Sequence, residues 1–260
     1  VLTAYQTATK NLLQNPGAPA SLYDTTSLNT WINTARGQLA GEGECIRIIG
    51  TISTVVGQRA YNFSSINTGV AATNGVQGVI HVRRISYNVG QNPQGQAGQQ
   101  RVEPAAWEWF DLFNLNNPVP TYGPPQTWSQ YGQGSAGTGT GSGATGSFYL
   151  DPPPDLTYTL NLDCVCYPQA LAADGDVEAI PYLWTDAVPF FAAYYAYLSS
   201  QTGARQADAE RMFGHYQTFL QRARQASNPS VNRFLYEQAG DPAQAAKMGI
   251  KPPAAAGAGG

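Results

Sequence analysis

The strongest constraint in this 260-residue sequence is where its helical periodicity lies: amphipathic segments stand near both ends and enclose a long, charge-poor middle with the grammar of β-strands. A short helix with one apolar stripe is stable only when that stripe is covered. The terminal segments must therefore pack on one another, which makes the middle an insertion and frees whatever follows the last helix to reach elsewhere. Such a layout reads as a building block before it reads as an enzyme.

Leu2, Tyr5, Ala8, Leu12 and Leu13 recur at helical spacing and predict a first helix over Thr3–Gln14, stopped by Asn15-Pro16-Gly17. Asp24-Thr25-Thr26 offers the N-cap of a second helix, with Leu28, Trp31, Ile32, Ala35 and Leu39 on one face and Gly41 and Gly43 at its end. Toward the other terminus, Pro181 suits the first turn of a third helix carrying Leu183, Trp184, Ala187, Val188, Phe191, Tyr194, Tyr195 and Leu198, with Pro189 expected to kink it. A fourth, Ala204–Ala226, has Ala209, Met212, Phe213, Tyr216, Phe219, Leu220 and Ala223 in its stripe and Arg211, Arg222 and Arg224 on a solvated face. Beyond Asn228-Pro229 the periodicity is lost, and Val231, Phe234, Leu235 and Tyr236 are isolated apolar anchors in an arm that ends in Pro, Ala and Gly.

The middle alternates in strand fashion. Ile46, Ile48, Ile52, Val55, Val56, Tyr61 and Phe63, with a turn at Val56-Gly57-Gln58-Arg59, predict a hairpin, and Gly78–Val89 continues the pattern. Gln91–Gln100 reads as a polar loop, and Trp107, Trp109 and Phe110 fit a short helix or a strand. Thr127–Tyr131, Ser147–Leu150 and Leu156–Tyr167 complete the strands, with a flexible Gly/Ser/Thr tract at Gly132–Gly146. The fold class expected is α+β: a four-helix bundle from residues 1–43 and 178–228, an inserted antiparallel β-sandwich or barrel-like domain over 44–177, and an extended arm, 229–260.

A net charge of −3 with 12% charged residues sets up no basic field, which disfavours sequence-specific nucleic-acid binding. No apolar run approaches the ~20 residues of a bilayer span, so no membrane contact is expected. Cys45, Cys164 and Cys166 follow no leader-like segment and suggest free thiols in a cytoplasmic setting; Cys164 and Cys166 share one strand face as small buried residues. His81 and His215 stand apart in sequence, and Asp174-Gly175-Asp176-Val177-Glu178 lacks the later ligands of a calcium loop, so it reads as an acidic turn. No nucleophile elbow, zinc-protease or phosphate-loop motif occurs; catalytic residues, cofactor and metal are all expected to be none.

Several stretches carry a family likeness. Behind the opening helix, Leu22-Tyr23-Asp24 leads into Leu28-Asn29-Thr30-Trp31-Ile32-Asn33-Thr34-Ala35. The Gly50–Phe63 strand pair follows, then Phe148-Tyr149-Leu150-Asp151-Pro152-Pro153-Pro154, the Tyr158–Tyr167 strand, the acidic turn, Ile180-Pro181 and two closing helices. In that order, over residues 1–228, the chain resembles head-to-tail connectors of tailed phages, also called neck or portal adaptor proteins. The resemblance implies a non-enzymatic virion protein of the neck, made in the host cytoplasm, forming a homo-oligomeric ring of about twelve copies. It implies the portal and a tail or nozzle protein as partners, and genome DNA passing through the channel with only non-specific contact. Trp31, Ile32, Phe191, Tyr195, Phe213, Tyr216 and Phe219 would build the helical ring body, and Pro229, Val231, Phe234, Leu235 and Tyr236 would dock the arm on the portal.

Two other classes fit parts of the sequence. A cell-wall glycoside hydrolase needs two converging carboxylates, for which Glu103, Glu108, Asp111, Asp151, Asp155 and Asp163 are available. A β-sandwich carbohydrate-binding module needs exposed rings, for which Trp107, Trp109, Trp128 and Tyr131 are available, although the same residues suit a core.

Overall fold

A computed structural model describes residues 1–14, 23–69, 75–89, 98–112, 121–132, 146–199 and 205–227. In chain order these give α1 (Leu2–Leu12), α2 (Thr25–Gly43), β1 (Arg47–Ser53), β2 (Ala60–Asn62), β3 (Val76–Val89), β4 (Gly98–Pro104), α3 (Trp107–Phe110), β5 (Thr127–Tyr131), β6 (Ser147–Asp151), β7 (Thr159–Pro168), α4 (Ala187–Ser199) and α5 (Gln206–Ser227). The protein is thus α+β. The arm residues Pro229, Val231, Phe234, Leu235 and Tyr236, and nearly all of the Gly132–Gly146 tract, lie outside the described residues.

Helix α2 starts where its cap demands: Asp24 is extended, and its carboxylate accepts the Ser27 amide at 2.7 Å. It ends at Glu44, which adopts the left-handed conformation with φ 49°. The third helix differs from expectation. Tyr182–Trp184 is a 3-10 turn and α4 begins only at Ala187. Pro189 therefore sits in the first turn, where its missing amide breaks no ladder bond, and the predicted kink has no cause. The change of phase also turns Leu183 outward, although the stripe placed it inside, and Leu198 near the end of α4 is exposed as well.

The seven strands form one curled sheet in the order β1-β7-β3-β4-β5-β6-β2, instead of two stacked sheets. Pairing is antiparallel throughout except for β4 with β5, which is parallel. The expected hairpin of β1 with β2 does not form; they occupy opposite edges, β1 on β7 and β2 on β6. The turn between them is real, with Gly57 at φ 76° and the Gln58 amide on the Val55 carbonyl, but it carries the chain across the curl. A two-way bridge from Thr51 to Asn67, both bonds 2.8 Å, covers part of the β1 edge. Gly98–Gln100, expected to be loop, belongs to β4 and pairs with β3. Only Val102 of β4 is buried, so the strand carries almost no alternation to read.

Strand β3 shows how partners can override a local period. Against β7 its register slips between Val76 and Gly78, between Val79 and His81, and between Val82 and Arg84. Each slip inserts one residue, so Val76, Val79, Val82 and Ile85 face the core at a spacing of three instead of two.

The core has two parts. One joins Ile32, Ala35 and Leu39 of α2, Val188 and Phe191 of α4 and Tyr216 and Leu220 of α5 to the inner sheet residues Ile85, Phe148, Leu150, Leu160, Leu162, Cys164 and Cys166. The other lies among the helices, away from the sheet, and collects Leu13, Tyr23, Leu28, Ala193, Tyr197 and Met212. The helices thus pack on one another at one end and share their core with the sheet at the other.

Candidate assembly surface

The predicted helical residues divide by depth. Ile32, Phe191 and Tyr216 are buried, whereas Trp31, Tyr195, Phe213 and Phe219 are half-covered at the core margin. Phe191 is the hub: its ring lies 4.4 Å from Tyr216, 5.0 Å from Tyr195 in a T-shaped pair, and 6.3 Å from Phe213. Phe219 joins a different pair, stacking on Phe190 at 6.0 Å, and Phe190 also meets the exposed His215. Trp31 stands apart from both groups, edge-on to Tyr23.

The acidic turn is a structural knot. Asp174 accepts the Thr3 hydroxyl, the Thr3 amide and the Val1 amine at the start of α1, and these bonds hold its carboxyl at about 2. Asp176 accepts the Ala172 and Ala173 amides, which lower its pKa. Glu178 meets Arg36, whose side chain is 1% exposed; Nη2 and Nε reach the carboxylate at 2.8–3.2 Å. The Arg36 Nη1 also donates to the Gln169 carbonyl at 2.7 Å and to Asn33 Oδ1 at 3.1 Å. Sequence reading overlooked Arg36, although its place beside Ala35 in the apolar stripe was a signal of burial. Burial and the neighbouring Glu178 push the Tyr5 hydroxyl up.

A second polar cluster clamps the end of α5. The Ser227 carbonyl accepts Nη1 of Arg47 at 2.9 Å and of Arg83 at 3.1 Å, cations well placed at a helix C-terminus. Ser227 Oγ donates to the Gly43 carbonyl at 3.1 Å, and Arg224 Nε donates to the Glu42 carbonyl at 2.7 Å. Arg224, expected on a solvated face, therefore ties α5 to α2. Glu44 pairs with Arg83 at 3.0 Å and faces His81 at 3.4 Å, so His81 is not isolated in space. Burial, more than Arg83, lowers the pKa of His81, against the pull of Glu44.

Large apolar side chains stay uncovered beside the helices. Tyr182 is 89% and Leu183 73% exposed on the 3-10 turn. Tyr182 borders a cleft of about 590 Å³ along α1, walled by Ala4, Ala8, Ile180 and Pro189 with Asp186 at its rim. At the sheet tip, Val55, Val56, Tyr122 and Leu156 are likewise exposed.

The other two classes find little support in this geometry. Asp163 is held by Arg47, Asp151 pairs with Arg59 at 3.4 Å, and Asp155 accepts the Tyr158 hydroxyl at 2.7 Å. Trp128 is buried in the core and unavailable to a sugar, and Trp107 packs on Tyr131 and Tyr149 at 4.7–4.9 Å, which leaves Trp109 and Tyr131 as the exposed rings. Among the described residues no group of three His, Cys, Asp or Glu is placed to hold a metal, and no helix is long and apolar enough to cross a membrane.

In comparison with known proteins, the family model described as SU10 adaptor protein matches residues 2–240. No curated protein matches the chain.

Proposed function

Since the chain belongs to the SU10 adaptor protein family, and so to the structural adaptors of phage virions, we propose that it is a head-to-tail connector of the neck. Identical subunits, about twelve, close into a ring beneath the portal. A tail or nozzle protein attaches to the ring, and genome DNA passes through its centre with only non-specific contact. In this reading residues 1–43 and 178–228 form the ring body, 44–177 the projecting β insertion, and 229–260 the arm that docks on the portal.

The observation that carries the proposal is Tyr182, exposed at the α1 cleft, with the bare Leu183 next to it, on a body whose other helical aromatics are buried or half-covered. A tyrosine and a leucine this bare are a recurrent mark of a protein interface. A neighbouring subunit is the occupant that a ring provides. Electron microscopy or native mass spectrometry of the protein with its portal should show rings; a persistent monomer without affinity for the portal refutes the proposal. Tyr182→Ser with Leu183→Ser should leave stability within about 0.5 kcal/mol, as surface changes do, while abolishing rings. Removal of residues 229–260 should leave the body folded and stop docking, and docking that survives refutes the arm's role.

A further inference from the structure

Helix α5 does not end in open solvent. Its last carbonyl, on Ser227, is held by Arg47 and Arg83, and Arg47 also forms the rim of a groove of about 450 Å³ on the face of the sheet where the helix stops. The groove floor is amide and hydroxyl in character, from Asn161, Gln99 and Ser86, with Ile49 64% exposed among them and Asp163 at the side. Among the described residues, the side chains of Asn161 and Arg84 in this groove have no hydrogen-bonding or ionic partner.

We propose that this groove seats the chain's own residues 228–233 in cis, so that the arm leaves the body along β1 from a fixed direction. The segment reads Asn228-Pro229-Ser230-Val231-Asn232-Arg233. Pro229 biases Asn228 away from helical dihedrals, so the chain must leave α5 extended. An extended strip with free amides is what unpaired Asn and Arg side chains bind, through one donor-acceptor pair and a fork of donors. Val231, four residues past the clamp, reaches about 13 Å from Ser227. Ile49 lies two residues, about 7 Å, along β1 from Arg47, so the apolar side chains of Val231 and Ile49 fall within reach of each other. The inference goes beyond the connector reading, because it concerns the root of the arm and holds whatever the far end binds.

Disulfide trapping in the full chain tests it without any partner. Ile49→Cys with Val231→Cys is compared with Gly41→Cys with Val231→Cys, whose first cysteine is also close to the clamp but on α2. The tether from Ser227 is the same length in both. Burial pushes the thiols of Cys45, Cys164 and Cys166 up to about 12, which keeps them from competing. Under oxidised glutathione, the Ile49 pair should close within the monomer at least tenfold faster, read by intact mass and loss of thiol. Adding Arg84→Leu and Asn161→Leu should slow it to the rate of the Gly41 pair. Equal rates for the two pairs, a rate indifferent to Arg84 and Asn161, or a product found only as dimers would overturn the proposal. The last outcome would give the seat to a neighbour's arm. None of these results bears on whether the arm binds the portal.

Discussion

The Arg36–Glu178 pair can be tested as a unit. It joins α2 to the segment returning from β7 to α4, and both groups are nearly out of water, with side-chain exposures of 1% and 13%. Replacing Arg36 by Met removes three bonds to the Glu178 carboxylate and those to Gln169 and Asn33, leaving Glu178 with the Ile180 amide. An uncompensated buried charge costs about 3–5 kcal/mol, and the mirror change Glu178→Leu strands a buried guanidinium at similar cost. For a body of this size that is roughly 10 °C in melting temperature. Once one charge has gone the other is a liability, so Arg36→Met with Glu178→Leu should cost no more than either single change. Urea unfolding of all four proteins, followed by circular dichroism, gives the coupling energy directly. Single costs below about 1 kcal/mol, or a double mutant equal to the sum of the singles, would refute the argument that the pair acts as one buried unit.

Two further predictions rest on local geometry. Gly75 has φ 64°, and a Cβ there would lie 2.3 Å from the Val177 carbonyl oxygen; Gly75→Ala should therefore destabilise by about 3 kcal/mol in urea unfolding, combining left-handed strain with a backbone clash. Gly41→Ala, where the added Cβ meets nothing within 4 Å, should instead stabilise α2 by about 0.5–1 kcal/mol. Because burial lowers the folded-state pKa of His81 below its ordinary 6.5, its contribution is fully present above that pH and is lost as pH falls through it toward the folded value. The melting temperature should drop between pH 7.5 and 5.5, and His81→Asn should remove part of that drop; an identical profile in the variant refutes the assignment.

Much of the local structure was legible. Asp24 capped α2 as its residue type suggested, Thr127–Tyr131 is a strand over that range, and Cys164 and Cys166 share a buried face. These features depend on neighbours one to four residues away, which the sequence displays. Where reading failed, the deciding neighbour was remote. The segments of β1 and β2 alternate and a turn separates them, yet β1 found its hydrogen bonds on β7, more than a hundred residues later. Alternation says that a strand has a face to bury, not which edge will take its amides. Leu183 looked like helix core because the stripe was extended upstream of Ala187, where the chain is a 3-10 turn with a different period.

The candidate surface divides in the same way. The family likeness rested on an order of short motifs, and the match over residues 2–240 agrees with it at the level of a phage adaptor. The clamp on Ser227 was invisible, because it draws on Arg47, Arg83, Gly43 and Arg224, which no spacing rule connects.

What the sequence by itself determined is the alphabet of elements: amphipathic helices at both ends and strands between. Hydrophobic period and capping act within a turn or two, and no distant residue is needed to express them. Only the tertiary structure decided that the strands curl into one sheet, that β3 slips three times to keep its apolar residues inward, and that Tyr182 and Leu183 stay bare. Those outcomes come from burying the most apolar area while pairing nearly every backbone amide, a condition on the whole chain that no single segment can satisfy alone.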